Sequence, residues 1–266
     1  MTVEFESSFE LLTQEEWNQY LGEEKIDSIM IDKSMFDKFS DRIMMHPILM
    51  EEINALNNKV GSIKVSYALC RHYYDKGIPD NPYYISPGKE GQSVQYFPNF
   101  ESEHWMRLYW FNHFADAVYM KLFSVWDSVT EILDTFYDMG VDKNMRFKFR
   151  VMDKLKQKDN AMWTFLKQDV LESELYQRAE RYRNSFAHYS GPSTISNSYT
   201  MERGKEVEFP EVQEDGTIKM VKRKATVLSC RVGDYTYVDD IVKNILEFSD
   251  FTGKRIGKLL NDMVAD

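Results

Sequence analysis

From residue 108 to residue 136 the chain repeats apolar side chains at alternating steps of three and four. Leu108, Phe111, Ala115, Val118, Leu122, Val125, Val129, Ile132 and Phe136 form an unbroken heptad seam. A strand shows every second residue on one face, so this spacing belongs to a helix. Trp105, Tyr109, Tyr119, Phe123, Trp126 and Leu133 form a second apolar stripe beside the first. A helix that is apolar on two sides cannot rest on a surface and takes the centre of a bundle. From Glu103 to Met139 it would run ~55 Å at 1.5 Å per residue, and Gly140 closes it.

The rest of the chain supplies partners for that helix. A helical pattern runs from Lys33 to about Lys76, with Pro47 at the start of a helix or of a new turn. Lys76 to Phe100 holds four of the seven prolines and three glycines, which marks a long loop. Met145 to Lys158 reads as a second, basic helix. Asn160 to Tyr189 reads as a third, with Leu171, Leu175, Ala179, Tyr182, Phe186 and Tyr189 on its apolar side, stopped by Gly191 and Pro192. "KEVEFPEVQEDGTIKMVKRKA" reads as a β-hairpin turning at Asp215-Gly216, and "TVLSCRV" is a further strand candidate. Asp239 to Met263 is a final amphipathic helix. The expected fold is mainly α: an antiparallel helical bundle with a small β-hairpin insertion. Residues 1–100 form an N-terminal helical extension and long loop. Residues 101–266 form the bundle, with the β insertion at about 199–232, in one compact unit.

Charge narrows the function classes. The net charge of −10 argues against a protein that coats nucleic acid over its whole surface. Residues 1–24 carry seven glutamates and no Lys or Arg, whereas residues 143–158 carry seven basic residues against one aspartate. Phe147 and Phe149 lie within that basic run. It is read in two ways, as a solvated helix face or as an RNA-backbone contact through Lys143, Arg146, Lys148 and Arg150 with aromatics for stacking. The acidic N-terminus has no secretory signal pattern, and no apolar run approaches the ~18–20 residues that span a bilayer. With only Cys70 and Cys230, far apart, a cytoplasmic location is expected and a cysteine-based zinc site is not.

The most polar helix end is "RYRNSFAHYSGPS", Arg181 to Ser193. With Tyr182, Phe186 and Tyr189 on the core side, Arg181, Asn184, Ser185 and His188 share the opposite face at steps of three and four. Arg183 sits on the flank. An exposed helix face is polar in any case, and a histidine near a helix C-terminus is favoured by the dipole. The same group also suits proton transfer and phosphate binding.

"RNSFAH" resembles the motif of the HEPN superfamily (higher-eukaryote and prokaryote nucleotide-binding domains): an Arg, a polar residue after it, a short spacer, and a His near the end of a bundle helix. Arg183, Asn184 and His188 match those positions. Trp126-Asp127 in the central helix and "YVDDIVKNILEFSDF" in the last are similar to a bacterial HEPN family without an assigned activity. The resemblance covers roughly residues 103–266. It implies a homodimer in which two motif helices line one cleft, with RNA or a nucleotide as ligand and an antitoxin or regulatory protein as partner. The implied chemistry is metal-independent endoribonuclease cleavage. His188 serves as general base or acid, Arg183 binds the phosphate, and Asn184 orients His188. Arg181, Ser185 and Asp127 are supporting residues. In HEPN toxins paired with a nucleotidyltransferase antitoxin a Tyr stands two residues after the His. Here Ser190 holds that position and Tyr189 stands one residue earlier. The alternative is a non-catalytic nucleotide- or protein-binding module of the same fold.

His113 and Asp116, with His104 nine residues before His113, have metal-ligand spacing, but a buried His–Asp hydrogen bond accounts for them better. Neither a metal nor a cofactor is expected. Asp127 sits among apolar neighbours in sequence, so it should be buried and paired with Arg183 or Arg181. Cys70 to His72 reads as structural.

Overall fold

In a computed structural model, residues 9–42, 44–85, 87–91, 94–188, 191–195, 197–213, 215–232 and 235–265 are described, without the side chains of 197–200 and 228–232. The chain divides into two units. The first comprises Met1–Pro79, Phe100–Ser193 and Thr236–Asp266, and the second comprises Asp80–Asn99 and Thr194–Tyr235.

The first unit is built on two long helices, α3 (Met45–Asp75) and α4 (Ser102–Phe136). All nine residues of the heptad seam lie on α4, and eight of them are buried. The exception is Phe136, which meets Phe36 and Phe39 edge-on at 6.5 and 5.4 Å. The two helices run antiparallel. Tyr74 lies against Phe111, Lys59 reaches Ser128 Oγ at 2.6 Å, and Thr135 donates to Glu52 at 3.0 Å. Pro47 sits in the first turn of α3, where its missing N–H costs nothing. Short helices α1 (Gln14–Leu21) and α2 (Glu24–Asp27) and a 3-10 helix (Lys33–Phe39) precede α3. Thr13 and Glu16 cap α1 reciprocally. α1 thus packs on the end of α3: Tyr20 donates to Asp75 at 2.7 Å, and His72 is bonded to Glu16 at 2.8 Å.

The other side of α4 is covered by α7 (Glu174–His188) and α8 (Val238–Ala265). Phe123, Tyr176 and Phe248 join the three helices with ring centroids 5.2 to 5.8 Å apart. Tyr119 donates to Asn244 at 2.7 Å, so α8 runs in the same direction as α4. α2 packs on α8 at Gly253, where a Cβ would stand 2.2 Å from Ser28 Oγ. Only glycine fits that approach.

The segment expected as one helix from Asn160 is not uniform. α6 (Asn160–Thr164) passes into a π-helical stretch (Phe165–Leu171), and α7 starts at Glu174 after a short break. Wider π turns shift every later side chain round the axis. The buried positions are therefore Phe165, Leu166, Val170, Tyr176 and Ala179, while Leu171 and Leu175 are only half-buried. Tyr189 and Ser190 lie outside the described residues.

The second unit is two antiparallel hairpins. β1 (Tyr83–Ile85) pairs with β2 (Val94–Tyr96) inside the stretch expected as plain loop. β3 (Asn197–Val212) pairs with β4 (Ile218–Val232), turning at Asp215-Gly216 with Gly216 at φ 82°. "TVLSCRV" is not a separate strand but the second half of β4. Among the described residues no helix is long and apolar enough to cross a membrane.

Candidate functional site

α7 carries the motif and is fixed at both ends. At its start Ser173 Oγ accepts the Tyr176 N–H at 3.3 Å. Beyond its end, Ser193 donates to Asn112 of α4, and Gly191 lies so close that a Cβ would meet Phe186 at 3.0 Å and Asn112 at 3.3 Å. Tyr182 and Phe186 pack against Tyr119 with centroids 6.0 and 5.9 Å apart. These contacts set the rotation of α7 and so decide where its polar groups point.

The polar groups divide into two sets. Arg181 and His188 are exposed, and Asn184 and Ser185 are half-buried beside them. Arg183 is turned the other way. Seven residues separate it from buried Tyr176, which puts the two within about 20° on the helix. Its guanidinium lies over the Phe123 ring at 5.1 Å, and its Nε is buried without a hydrogen-bond acceptor. Nearby Tyr176 is held above the usual phenol range, first by burial, then by the charges of Glu180 and Asp127, with Arg183 opposing them. Arg183 therefore lies between α7 and the Phe123 ring of α4, on the side of α7 that carries Tyr176. No hydrogen bond, ion pair or ring contact links Arg183, Asn184 and His188 to one another among the described residues. In one chain Arg183 and His188 stand about 140° apart on the helix.

Asp127 differs from expectation. Its side chain is 64% exposed and lies 3.8 Å from Lys148 Nζ, and neither Arg183 nor Arg181 pairs with it. It follows Trp126 into α4 but turns 100° away from the buried stripe. Trp126 itself is buried, with its Nε1 unpartnered. His113 and Asp116 do not share the expected hydrogen bond. His113 packs between Trp110 and Phe114, and Asp116 Oδ1 is buried without a partner. Burial pushes the Asp116 carboxyl up, with His113 opposing it. His104 is occupied at the start of α4, accepting the Glu101 N–H at 2.9 Å. No group of three His, Cys, Asp or Glu with metal-binding geometry exists among the described residues.

The basic helix is α5 (Phe147–Lys158), and its charges are unequal in availability. Lys154 and Lys158 cap the carbonyls of Met139, Tyr137 and Asp138 at the end of α4. Lys156 lies over the Trp163 ring at 4.7 Å. Lys143 pairs with Glu131 at 3.4 Å and Lys148 with Asp127 at 3.8 Å. Arg146 and Arg150 have no ion-pair partner among the described residues. Five cations of the run are thus engaged within the fold, which is the solvated-face reading for those five, and two have no ion-pair partner among the described residues.

Phe123 was legible only as core. Its place under Arg183 depends on the rotation of α7, which the π-helical stretch sets. A family model described as HEPN_Cthe2314-like HEPN matches residues 53–249. No curated protein and no solved structure gives a significant match.

Proposed function

Because the chain belongs to the HEPN_Cthe2314-like HEPN family, we propose that it binds RNA and cleaves it without a metal ion, in a cleft that two copies build from Arg183, Asn184 and His188. The observation that carries this reading is the state of Arg183. A buried Nε–H without an acceptor costs roughly 1–3 kcal/mol, and that cost is relieved when an anion enters. A guanidinium held over Phe123 is preorganised for a phosphate, whose oxygens it meets in bidentate fashion.

The steps use this chain's own groups. His188 of one copy takes the proton from an RNA 2′-hydroxyl, and the oxygen attacks the adjacent phosphorus. Arg183 stabilises the charge that builds on the phosphorane oxygens. His188 of the other copy gives a proton to the departing 5′-oxygen. The products are a 2′,3′-cyclic phosphate and a free 5′-hydroxyl. Asn184, one turn before His188, orients the imidazole. Arg181 and Ser185 flank the cleft, and Lys143, Arg146, Lys148 and Arg150 hold the backbone beyond it.

A second reading is supported by Glu180 and Asp127, whose charges act on Tyr176, the buried neighbour of Arg183 on the same side of α7. Carboxylates repel a phosphate, and a non-catalytic module that binds a protein or nucleotide would keep them. The test is RNA cleavage in EDTA by wild type, His188→Ala and Arg183→Ala. Cyclic phosphate ends from wild type alone, with all three proteins dimeric, support the ribonuclease. Equal inertness, or equal activity from contamination, hands the site to the binding module.

A further inference from the structure

The turn that leads into α5 and the first turn of the helix together carry two exposed pairs of side chains. Val151 and Leu155 face the bundle. Met145 is fully exposed and Phe149 is 72% exposed, one turn apart. Arg146 and Arg150, also one turn apart, stand beside them and are exposed. Like charges at this spacing destabilise a helix. Every other cation of the run is engaged by a carboxylate, a carbonyl or a ring, and these two have no ion-pair partner among the described residues.

A second set of cations leads from this face towards α7. Phe123, Asp127 and Glu131 follow one another at single turns of α4. They carry Arg183 of α7 at 5.1 Å, Lys148 at 3.8 Å and Lys143 at 3.4 Å respectively. A cation thus comes to α4 at each turn, over about 12 Å of helix rise. The carboxylates at the second and third turns are exposed, and such surface pairs are worth only about 0–1 kcal/mol. A phosphate displaces them at little cost.

We propose that α5 is a platform for single-stranded RNA flanking the cleft, with one base stacked on Phe149 and phosphates held by Arg146 and Arg150. The platform rests on the reading of the Arg183 end as an RNA site. An open ring between guanidinium groups fits a strand whose bases are unpaired, because a duplex keeps its base faces covered. Charge selects the polyanion, and the ring selects the single strand.

The experiment is fluorescence anisotropy with labelled oligouridylate and with its duplex with oligoadenylate, in EDTA. The full chain carries His188→Ala so that the RNA stays intact. Phe149→Ala weakens strand binding roughly 5- to 150-fold, Phe149→Tyr restores it, and duplex binding does not change. Arg146→Gln with Arg150→Gln lowers the salt slope of strand binding by about 1.4, whereas Phe149→Ala leaves the slope alone. Phe149 is too exposed for its loss to unfold α5, and circular dichroism checks this. The platform is overturned if Phe149→Ala binds the strand as the parent does, if the duplex binds as well as the strand, or if the slope is unmoved. Should Arg183→Ala abolish binding while the α5 variants are neutral, the cleft reading stands and the platform falls. Should the α5 variants weaken binding while Arg183→Ala does not, the platform stands and the cleft reading falls. Absence of RNA binding by the parent removes both. A dimer that dissociates on Phe149→Ala, with RNA binding untouched, assigns the face to a protein contact and overturns the platform.

Discussion

Replacing Arg183 by methionine should make the protein more stable while removing its affinity for RNA. The guanidinium over Phe123 at 5.1 Å contributes roughly 0.5–1 kcal/mol as a half-buried cation–π contact. No ion pair ties it to Glu180 or Asp127 among the described residues, and a longer-range attraction to them is worth about 0–1 kcal/mol. Against these stands the Nε, buried without an acceptor, which costs roughly 1–3 kcal/mol. Methionine keeps the length and the apolar stem, packs on the same ring and has no donor to strand. The net is a stabilisation of about 1 kcal/mol, or a rise of roughly 2–4 °C in Tm for a unit of this size. Thermal melts by far-UV circular dichroism at fixed pH and salt read the first effect, and anisotropy with labelled RNA reads the second. A Tm that falls by several degrees would refute the reasoning, because Arg183 would then be holding α7 to α4. Unchanged RNA affinity would refute it from the other side. Arg183→Lys separates the terms: it keeps a charge, lacks the Nε and the fork, and should bind RNA more weakly than wild type.

Three further outcomes follow from the same geometry. Glu52 is held above its ordinary value of 4.5, first by burial, against which the Thr135 bond acts; a raised acid stabilises the fold only while protonated, so its contribution is present below that value and lost as pH rises through the raised one. Glu52→Gln keeps the acceptor for Thr135 and should raise Tm at neutral pH but not below pH 4.5; a difference that is flat with pH counts against it. Lys154→Met with Lys158→Met uncaps the end of α4 and should cost about 0.3–1 kcal/mol per lysine, with the salt slope of RNA binding unchanged; a lower slope would mean these cations face the strand. Gly253→Ala should destabilise by roughly 1–3 kcal/mol through overpacking. Because the added Cβ also stands 2.8 Å from the Ser28 backbone, Ser28→Ala should not rescue it in the same thermal melt.

The bundle was legible where one period ran unbroken. The α4 seam announces its helix because every seam position up to Ile132 is buried on one element, and local pattern and tertiary packing agree there. Leu171 and Leu175 failed as core positions for the opposite reason. The 3.6 period that predicted them does not survive the π turns before α7, and nothing in the residue types marks where a π turn falls. Asp127 failed because apolar neighbours in sequence are not neighbours on a helix. The surroundings of Arg183 were not legible: the sequence puts it on the flank of the polar face, but Phe123 beneath it belongs to a helix some sixty residues earlier, and only packing brings the two together.

The charges of α5 show what composition alone cannot apportion. Seven basic residues in a run look like one feature. Lys154 and Lys158 fall on the side that meets the end of α4, Lys143 and Lys148 meet exposed carboxylates along it, and Lys156 meets Trp163. What separates Arg146, at the N-cap of α5, and Arg150, in its first turn, is that no carboxylate among the described residues meets them. The same holds for Arg183, whose Nε has no acceptor among the described residues. A net charge of −10 therefore says little about whether this protein meets a phosphate. On the proposed reading, binding is decided by cations without an acid partner among the described residues, and Arg183 over Phe123 and Arg146 and Arg150 around Phe149 are the ones that stand next to a ring able to hold a planar partner or a planar guanidinium in place.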